Sequence, residues 1–393
     1  MYDKASPEVF HDFDIYDLEA HAGDFFDAWL CLQGRDIVWT PRNGGHWIAT
    51  SGATIEALFG EPALSNAILS VPREYTEHMG FLPLQADAPV HAGYRKPVMQ
   101  ALLPKYIMAL EPIIRESARA LIEDIRIKGA CDFVTDFAEV LPIDTFLTLA
   151  GFPTEDRPML RELGEQLNRP DGTVTPEQLM AMADDYLRPH VLARLEAPGR
   201  DLLSIILAAG VAGRPWQPDE AMRLARNLLF GGLDTVAALL GFVFNHLVDS
   251  REQREALASD PKLAPKAALE LTRRFASALT TRVATADIVA ADVQIMAGDL
   301  VLLPPLLYNL DPRCFDRPLE VDFNRDATRH LGMGSGAHRC VGANLVQLEL
   351  LIVLEEWFRV LPNFTRTVGQ PTRMRGGGVG SMATLPLTMS NRA

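Results

Sequence analysis

Met333-Gly334-Ser335-Gly336-Ala337-His338-Arg339-Cys340-Val341-Gly342 places three glycines, a histidine and a cysteine inside ten residues. Glycine has no Cβ, so its backbone can lie close against a flat ligand and turn N–H groups toward one atom. The atom they converge on is the sulfur of Cys340. A thiolate is stabilised by N–H donors, nearby positive charge and a helix N-terminus. The run Ala343 to Trp357, directly after the loop, reads as such a helix. A lone cysteine in a glycine loop is otherwise a small buried hydrophobe. The spacing of the glycines, His338 and Cys340 favours a ligand site over that alternative.

Further toward the N-terminus, Pro218 to about Leu247 reads as one long helix. Pro218 suits the first helical position, and Asp219 and Glu220 suit the positive helix end. Its apolar residues wrap most of the circumference, which marks a helix buried on nearly all sides. Thirty residues would span about 45 Å, enough to cross a domain. Yet Gly231-Gly232-Leu233-Asp234-Thr235 lies halfway along. Two glycines cost about 2 kcal/mol of helix propensity, and a buried Asp is expensive unless paired. The Thr235 hydroxyl can bond the carbonyl of residue 231 or open a local bulge. A capped polar pair at an ordinary kink is the plainer alternative.

Two smaller patterns flank these. Glu270-Leu271-Thr272-Arg273 puts opposite charges on one helix face; alone it would be a solvated pair worth under ~1 kcal/mol. Pro89-Val90-His91-Ala92-Gly93-Tyr94-Arg95 sets His91 and Arg95 one turn apart, facing the same way.

Taken together these segments resemble the cytochrome P-450 family. The decapeptide matches its signature FGxGxHxCxG, except that Met333 stands where Phe is usual. The resemblance implies a mainly α fold, a helix-rich triangular prism with small peripheral β-sheets and a long central buried helix. It implies one haem domain over 1–393, with a β-rich part at about 35–60. Cys340 would be the axial thiolate of haem b, pushing electron density onto iron, with Met333, Gly334 and Gly336 forming its loop. Glu270 and Arg273 match ExxR, and Arg325 in the meander-like stretch 311–325 would lock against them in a structural role. Gly231 would open an oxygen groove, Asp234 would relay protons, and Thr235 would orient water and dioxygen. His91, Arg95, Arg282 and His338 would hold the haem propionates.

Within the family the chain is most similar to the soluble bacterial camphor 5-monooxygenase branch, through 228–236, 270–275, 168–172 and Gly80-Phe81-Leu82-Pro83. The tyrosine that anchors the camphor ketone there corresponds to Met79, which has no donor. A lost neutral hydrogen bond is worth about 1 kcal/mol. Met79, Phe81, Leu84, Phe230, Ala278 and Val379 would line the pocket. Asn227 shares the helix face of Gly231 and Thr235, and either offers an amide donor there or pairs with a neighbouring helix. The expected substrate is a mid-sized apolar molecule, a terpenoid or norisoprenoid ketone of the ionone type rather than camphor. Electrons would come from a [2Fe–2S] ferredoxin and its flavin reductase, steered to Arg95, Lys96, Arg329 and Arg339. A peroxide-driven thiolate-haem peroxygenase and a non-catalytic haem gas-binding protein are the competing readings. The former typically lacks an acid–alcohol pair, and non-catalytic relatives commonly lose the cysteine.

Composition sets the outer limits. The 393 residues carry 37 Lys plus Arg against 51 Asp plus Glu, a net charge of −14, which disfavours nucleic-acid binding through general electrostatics. Apolar residues make up 48%, ordinary for a folded chain. Four cysteines without CxxC spacing indicate a reducing compartment and neither a zinc ribbon nor a thioredoxin motif. Asn245 and His246 interrupt the most apolar stretch, near Val236 to Val248, leaving it short of a membrane span. A cytoplasmic monomer with no membrane attachment is expected. Helical periodicity is also expected over Leu102–Ile127, over Leu179–Leu195 with a kink at Pro189, and over Glu252–Leu257. Strands are expected at Asp36–Thr40 and His46–Thr50 around an Asn-Gly turn, and at Asp287–Ile295, Asp299–Leu303 and Ala383–Met389.

Overall fold

A computed structural model describes residues 9–17 and 24–390. The expected hairpin forms: Ile37–Thr40 pairs antiparallel with His46–Ala49. Its turn needs left-handed backbone, which Asn43, Gly44 and Gly45 supply at φ 53°, 83° and 82°. Leu300–Leu303 then joins His46–Ala49 in parallel, and Thr280–Ala284 and Leu64–Ser65 complete a five-stranded sheet. This pairing carries Arg282 from the distant end of the chain to the N-terminal sheet. The stretches 287–295 and 383–389 each resolve into two strands. Ile288–Ala290 and Val293–Ile295 form a hairpin. Ser381–Thr384 and Pro386–Met389 enter different sheets on either side of the fully buried Leu385.

The long helix is present but divided. Pro218–Leu233 and Thr235–Leu247 meet at Asp234, whose φ of −130° and ψ of −36° are not helical. Low helix propensity at Gly231-Gly232 and the competing polar side chains at 234 and 235 account for the break. This span is long and apolar enough to cross a membrane, but 72% of its most apolar window is buried inside the protein, so it serves as the core. Phe244 on its second half packs against Phe133 at 3.9 Å between ring centres, with Trp357 edge-on at 4.8 Å.

The single run expected over Leu102–Ile127 is broken. The helix His91–Ala101 ends first, Pro104–Ile107 and a turn at Met108–Leu110 follow, and Glu111–Lys128 begins anew. Pro104 lacks an N–H and drives Leu103 into an extended conformation, ψ 148°, which no helix can pass. Pro189, by contrast, is accommodated inside the helix Pro176–Glu196.

Ala264–Phe275 carries the Glu270/Arg273 pair, both side chains fully buried. Every donor of the Arg273 guanidinium is used. It donates to both Glu270 oxygens at 2.7 and 2.8 Å, and to the carbonyls of Asn309, Pro318 and Glu320 at 2.7, 2.9 and 3.1 Å. Arg325 Nε and the Asp322 N–H add bonds of 3.0 and 3.1 Å to the same Glu270 oxygen. A buried ion pair holds a fold only when its remaining donors are satisfied in this way. The pair therefore fastens the irregular stretch 309–325 to the helix. Asn309 extends the fastening, because its Oδ1 accepts the Leu331 N–H at 2.8 Å at the entrance to the cysteine loop.

Candidate active site

The loop closes on itself through the Cys340 N–H, which donates to the Met333 carbonyl at 2.8 Å. Gly334 and Gly336 take φ of 68° and 64°, a conformation that disfavours other residues. Cys340 lies three residues before the helix Ala343–Val360, and its sulfur is accessible. Burial nevertheless pushes its thiol up, while the Gly342 N–H and the charges of Arg339 and Arg95 pull toward thiolate.

Two histidines and two arginines lie beside this loop. The His91 and His338 rings lie 4.1 Å apart between centres, tilted by 36°. His91 Nε2 and His338 Nδ1 are buried with no hydrogen-bond partner. Burial, with His91 and Arg282 adding to it, holds His338 down to about 3. Burial also lowers Arg282, to about 10, and Asp87 only partly offsets this. Among the described residues, the side chain of Arg282 bonds only the carbonyl of its neighbour Thr281, at 2.8 Å. Arg95 is half-buried and donates to the Arg339 carbonyl. All four expected propionate-binding residues are therefore close to one another or to the loop, and buried donors among them lack protein acceptors.

On the central helix, the two glycines differ. Gly231 is exposed in the middle of an otherwise buried span, and a Cβ there would meet no atom within 4 Å. A Cβ on Gly232 would meet the Phe146 ring at 2.4 Å. The first glycine thus borders open space, while the second permits helix–helix contact. Thr235 Oγ1 donates to the Gly231 carbonyl at 3.4 Å, a long bond that leaves the turn loosely held. Asp234 points the other way, into Arg169, whose Nη2 lies 2.9 Å from both carboxylate oxygens. Burial pushes Asp234 up and Arg169 pulls it down. Arg169 also donates to Glu165 and, through Nη1, to the Val379 carbonyl at 2.6 Å. Sequence reasoning assigned Arg169 no role, although it lies in the noted segment 168–172.

Two of the expected pocket pairs are in contact. Phe81 stacks on Phe230 at 5.5 Å and 22°, both buried. Met79 is buried and Leu84 half-buried. Ala278 bridges Val379 through the backbone. Asn227 is half-buried and makes no side-chain hydrogen bond to any described residue.

A family model described as cytochrome P450 matches residues 272–381, which covers the Arg273 region and the cysteine loop. A steroid C26-monooxygenase of Mycobacterium tuberculosis is 30% identical across 84% of this chain and 91% of its own length. The crystal structure of cytochrome P450 CYP101C1 is 46% identical, with full coverage of both chains and a TM-score of 0.92. The chain belongs to the cytochrome P450 family. The structure of CYP101J2 is also similar, at 34% identity, 99% coverage of each chain and a TM-score of 0.91. A probable cytochrome P450 127A1 of Sinorhizobium fredii matches at 28% over 98% of this chain and 96% of its own.

As a cytochrome P450 monooxygenase the protein uses haem b, and the residues present suit that group. The exposed Cys340, held in its glycine loop, would supply a thiolate ligand. The ring nitrogens of His91 and His338, left without protein partners, and the Arg282 guanidinium, bonded among the described residues only to the Thr281 carbonyl, suit two buried carboxylates. The space beside Gly231 lies on a helix that no side chain covers at that point.

Proposed function

We propose that this P450 hydroxylates an unactivated C–H bond of a mid-sized apolar terpenoid or norisoprenoid ketone. Cys340 would ligate the haem through its thiolate, and His91, Arg95, Arg282 and His338 would hold the propionates. Bound haem supplies oxygen activation. Asp234 carries protons from the Arg169 side toward the helix break, and Thr235 holds water at the loosened turn. Phe81 and Phe230 exclude water above Gly231. The absence of a donor at Met79 disfavours camphor, and the stacked Phe81/Phe230 pair carries the preference for a flat, apolar ring system.

Electrons come, in this reading, from a [2Fe–2S] ferredoxin served by a flavin reductase. Lys96, Arg329 and Arg339 are exposed, and Arg95 half-buried beside Arg339. They form a local basic surface on an acidic protein. Lys96→Glu slows ferredoxin-supported turnover at low salt, and an unchanged rate removes this patch from consideration. The chain acts as a single haem domain, a cytoplasmic monomer.

The decisive experiment is the ferrous–CO spectrum followed by titration with a ketone panel. Thiolate absorption and tighter binding of β-ionone than of camphor support the reading. A histidine-type carbonyl spectrum ends it, and camphor outranking every ionone-like ketone ends its substrate half. The peroxygenase alternative is tested by comparing NADH-driven turnover through the ferredoxin with hydrogen peroxide alone.

A further inference from the structure

Two arginines on the central helix, upstream of Gly231, are not needed for the chemistry described above. Arg223 Nε donates to the Gly80 carbonyl at 2.7 Å, and its own carbonyl accepts the Leu82 N–H at 3.2 Å. Arg226 Nη1 donates to the Met79 carbonyl at 3.0 Å. The rest of the Arg226 guanidinium is paired with Asp184 on the helix Pro176–Glu196, through Nε to Oδ1 and through Nη2 to Oδ2 at 2.6 Å. Arg226 therefore ties three elements together: the central helix, the loop 79–82 and the helix Pro176–Glu196. Its side chain is 14% exposed and that of Asp184 20%, so the pair is only weakly screened.

What the tie holds is Phe81. The loop is rigid within itself, because the Phe81 N–H donates to Gln85 Oε1 at 2.7 Å and the Gln85 amide bonds the Ala67 and Thr76 carbonyls at 2.7 and 2.9 Å. The two arginines link that rigid loop to the helices around it. Gly80 is part of the fit: its φ is +64°, and a Cβ there would meet Arg223 Nε at 3.0 Å. With both carbonyls pinned, the Phe81 ring lies on Phe230, next to Gly231.

We propose that Arg226 is a positioning residue for substrate: clamped by Asp184, it sets the height of the Phe81 roof over Phe230, and so the size of apolar molecule retained and its residence time. Three acceptors reached by one planar fork suit a guanidinium and not an ammonium. The proposal rests on reading the space beside Gly231 as the substrate cavity, so the test has a part that does not depend on it.

In haem-loaded, substrate-free protein, hydrogen exchange is followed in peptides spanning 76–86 and 343–360. Arg226→Gln and Asp184→Asn speed exchange in 76–86 about tenfold and leave 343–360 unchanged, with Arg226→Lys intermediate. Unchanged exchange in 76–86, or equal acceleration in both peptides, overturns the clamp. β-Ionone is then used as the probe in stopped-flow spectral titration. The variants raise its Kd about tenfold, mostly through faster dissociation, with kcat at saturation within about threefold. Faster exchange in 76–86 with an unaltered β-ionone dissociation rate overturns the positioning role. If β-ionone gives no spectral shift even with the unmutated protein, the substrate reading fails and the exchange comparison alone decides the clamp.

Discussion

One nitrogen of Arg169, Nη2, lies 2.9 Å from both carboxylate oxygens of Asp234, while Nη1 of the same side chain donates to the carbonyl of Val379. The acid at the helix break is therefore held by a residue that also grips the strand region on the apolar side of the site. Asp234→Asn keeps the shape and removes the titratable proton. It lowers ferredoxin-supported turnover about a hundredfold while the Kd for substrate stays within about twofold. Arg169→Gln instead leaves a buried carboxylate without its partner and costs roughly 3 kcal/mol, read from urea unfolding.

The adjacent glycines give opposite results. Gly232→Ala drives a methyl into the Phe146 ring and destabilises by roughly 1–3 kcal/mol. Gly231→Ala meets nothing within 4 Å and stabilises the helix by up to about 1 kcal/mol, but places a methyl in the open space of the site. Unfolding curves and ketone titrations on the two variants separate fold from function: stability falls in the first, ligand binding changes in the second.

Glu270→Gln removes the charge that four donors share and leaves Arg273 buried and uncompensated. A loss of about 3–5 kcal/mol follows, together with poor haem retention, measured by denaturant unfolding and by haem content after gel filtration.

Glu349, fully enclosed on the helix after the cysteine loop, is pushed up by burial to about 8 from 4.5, with the Thr145 hydroxyl opposing. Its Oε1 has no partner. Between pH 4.5 and 8 the unfolded chain has released a proton that the folded chain keeps, so stability falls as pH rises through that window and levels off above it. Glu349→Gln removes the dependence. The variant gains on the parent by roughly 3–5 kcal/mol at pH 8 and by almost nothing at pH 4, checked by urea unfolding at both values.

Local chemistry explains which parts could be read from sequence. The cysteine loop, the Asp234–Thr235 interruption and the Glu270/Arg273 spacing are dense runs in which residue type alone dictates backbone or charge, and the structure places each on the element expected. The break between 101 and 111 is not legible in the pattern, because apolar periodicity continues across Pro104, whose missing N–H outweighs it. The links of Arg169 to Asp234 and of Arg226 to Asp184 span 65 and 42 residues, and no spacing rule connects them. The five-stranded sheet was likewise hidden, because its strands come from opposite ends of the chain.

Asn309 touches both halves of this scaffold: its backbone carbonyl accepts a hydrogen bond from Arg273, and its side-chain oxygen accepts one from the Leu331 N–H. Damage to the buried charge pair is thereby transmitted through a single residue toward the loop of Cys340, thirty-one residues later. Pigment loss in a variant of this protein can consequently report a fault far from Cys340, with the cysteine itself intact.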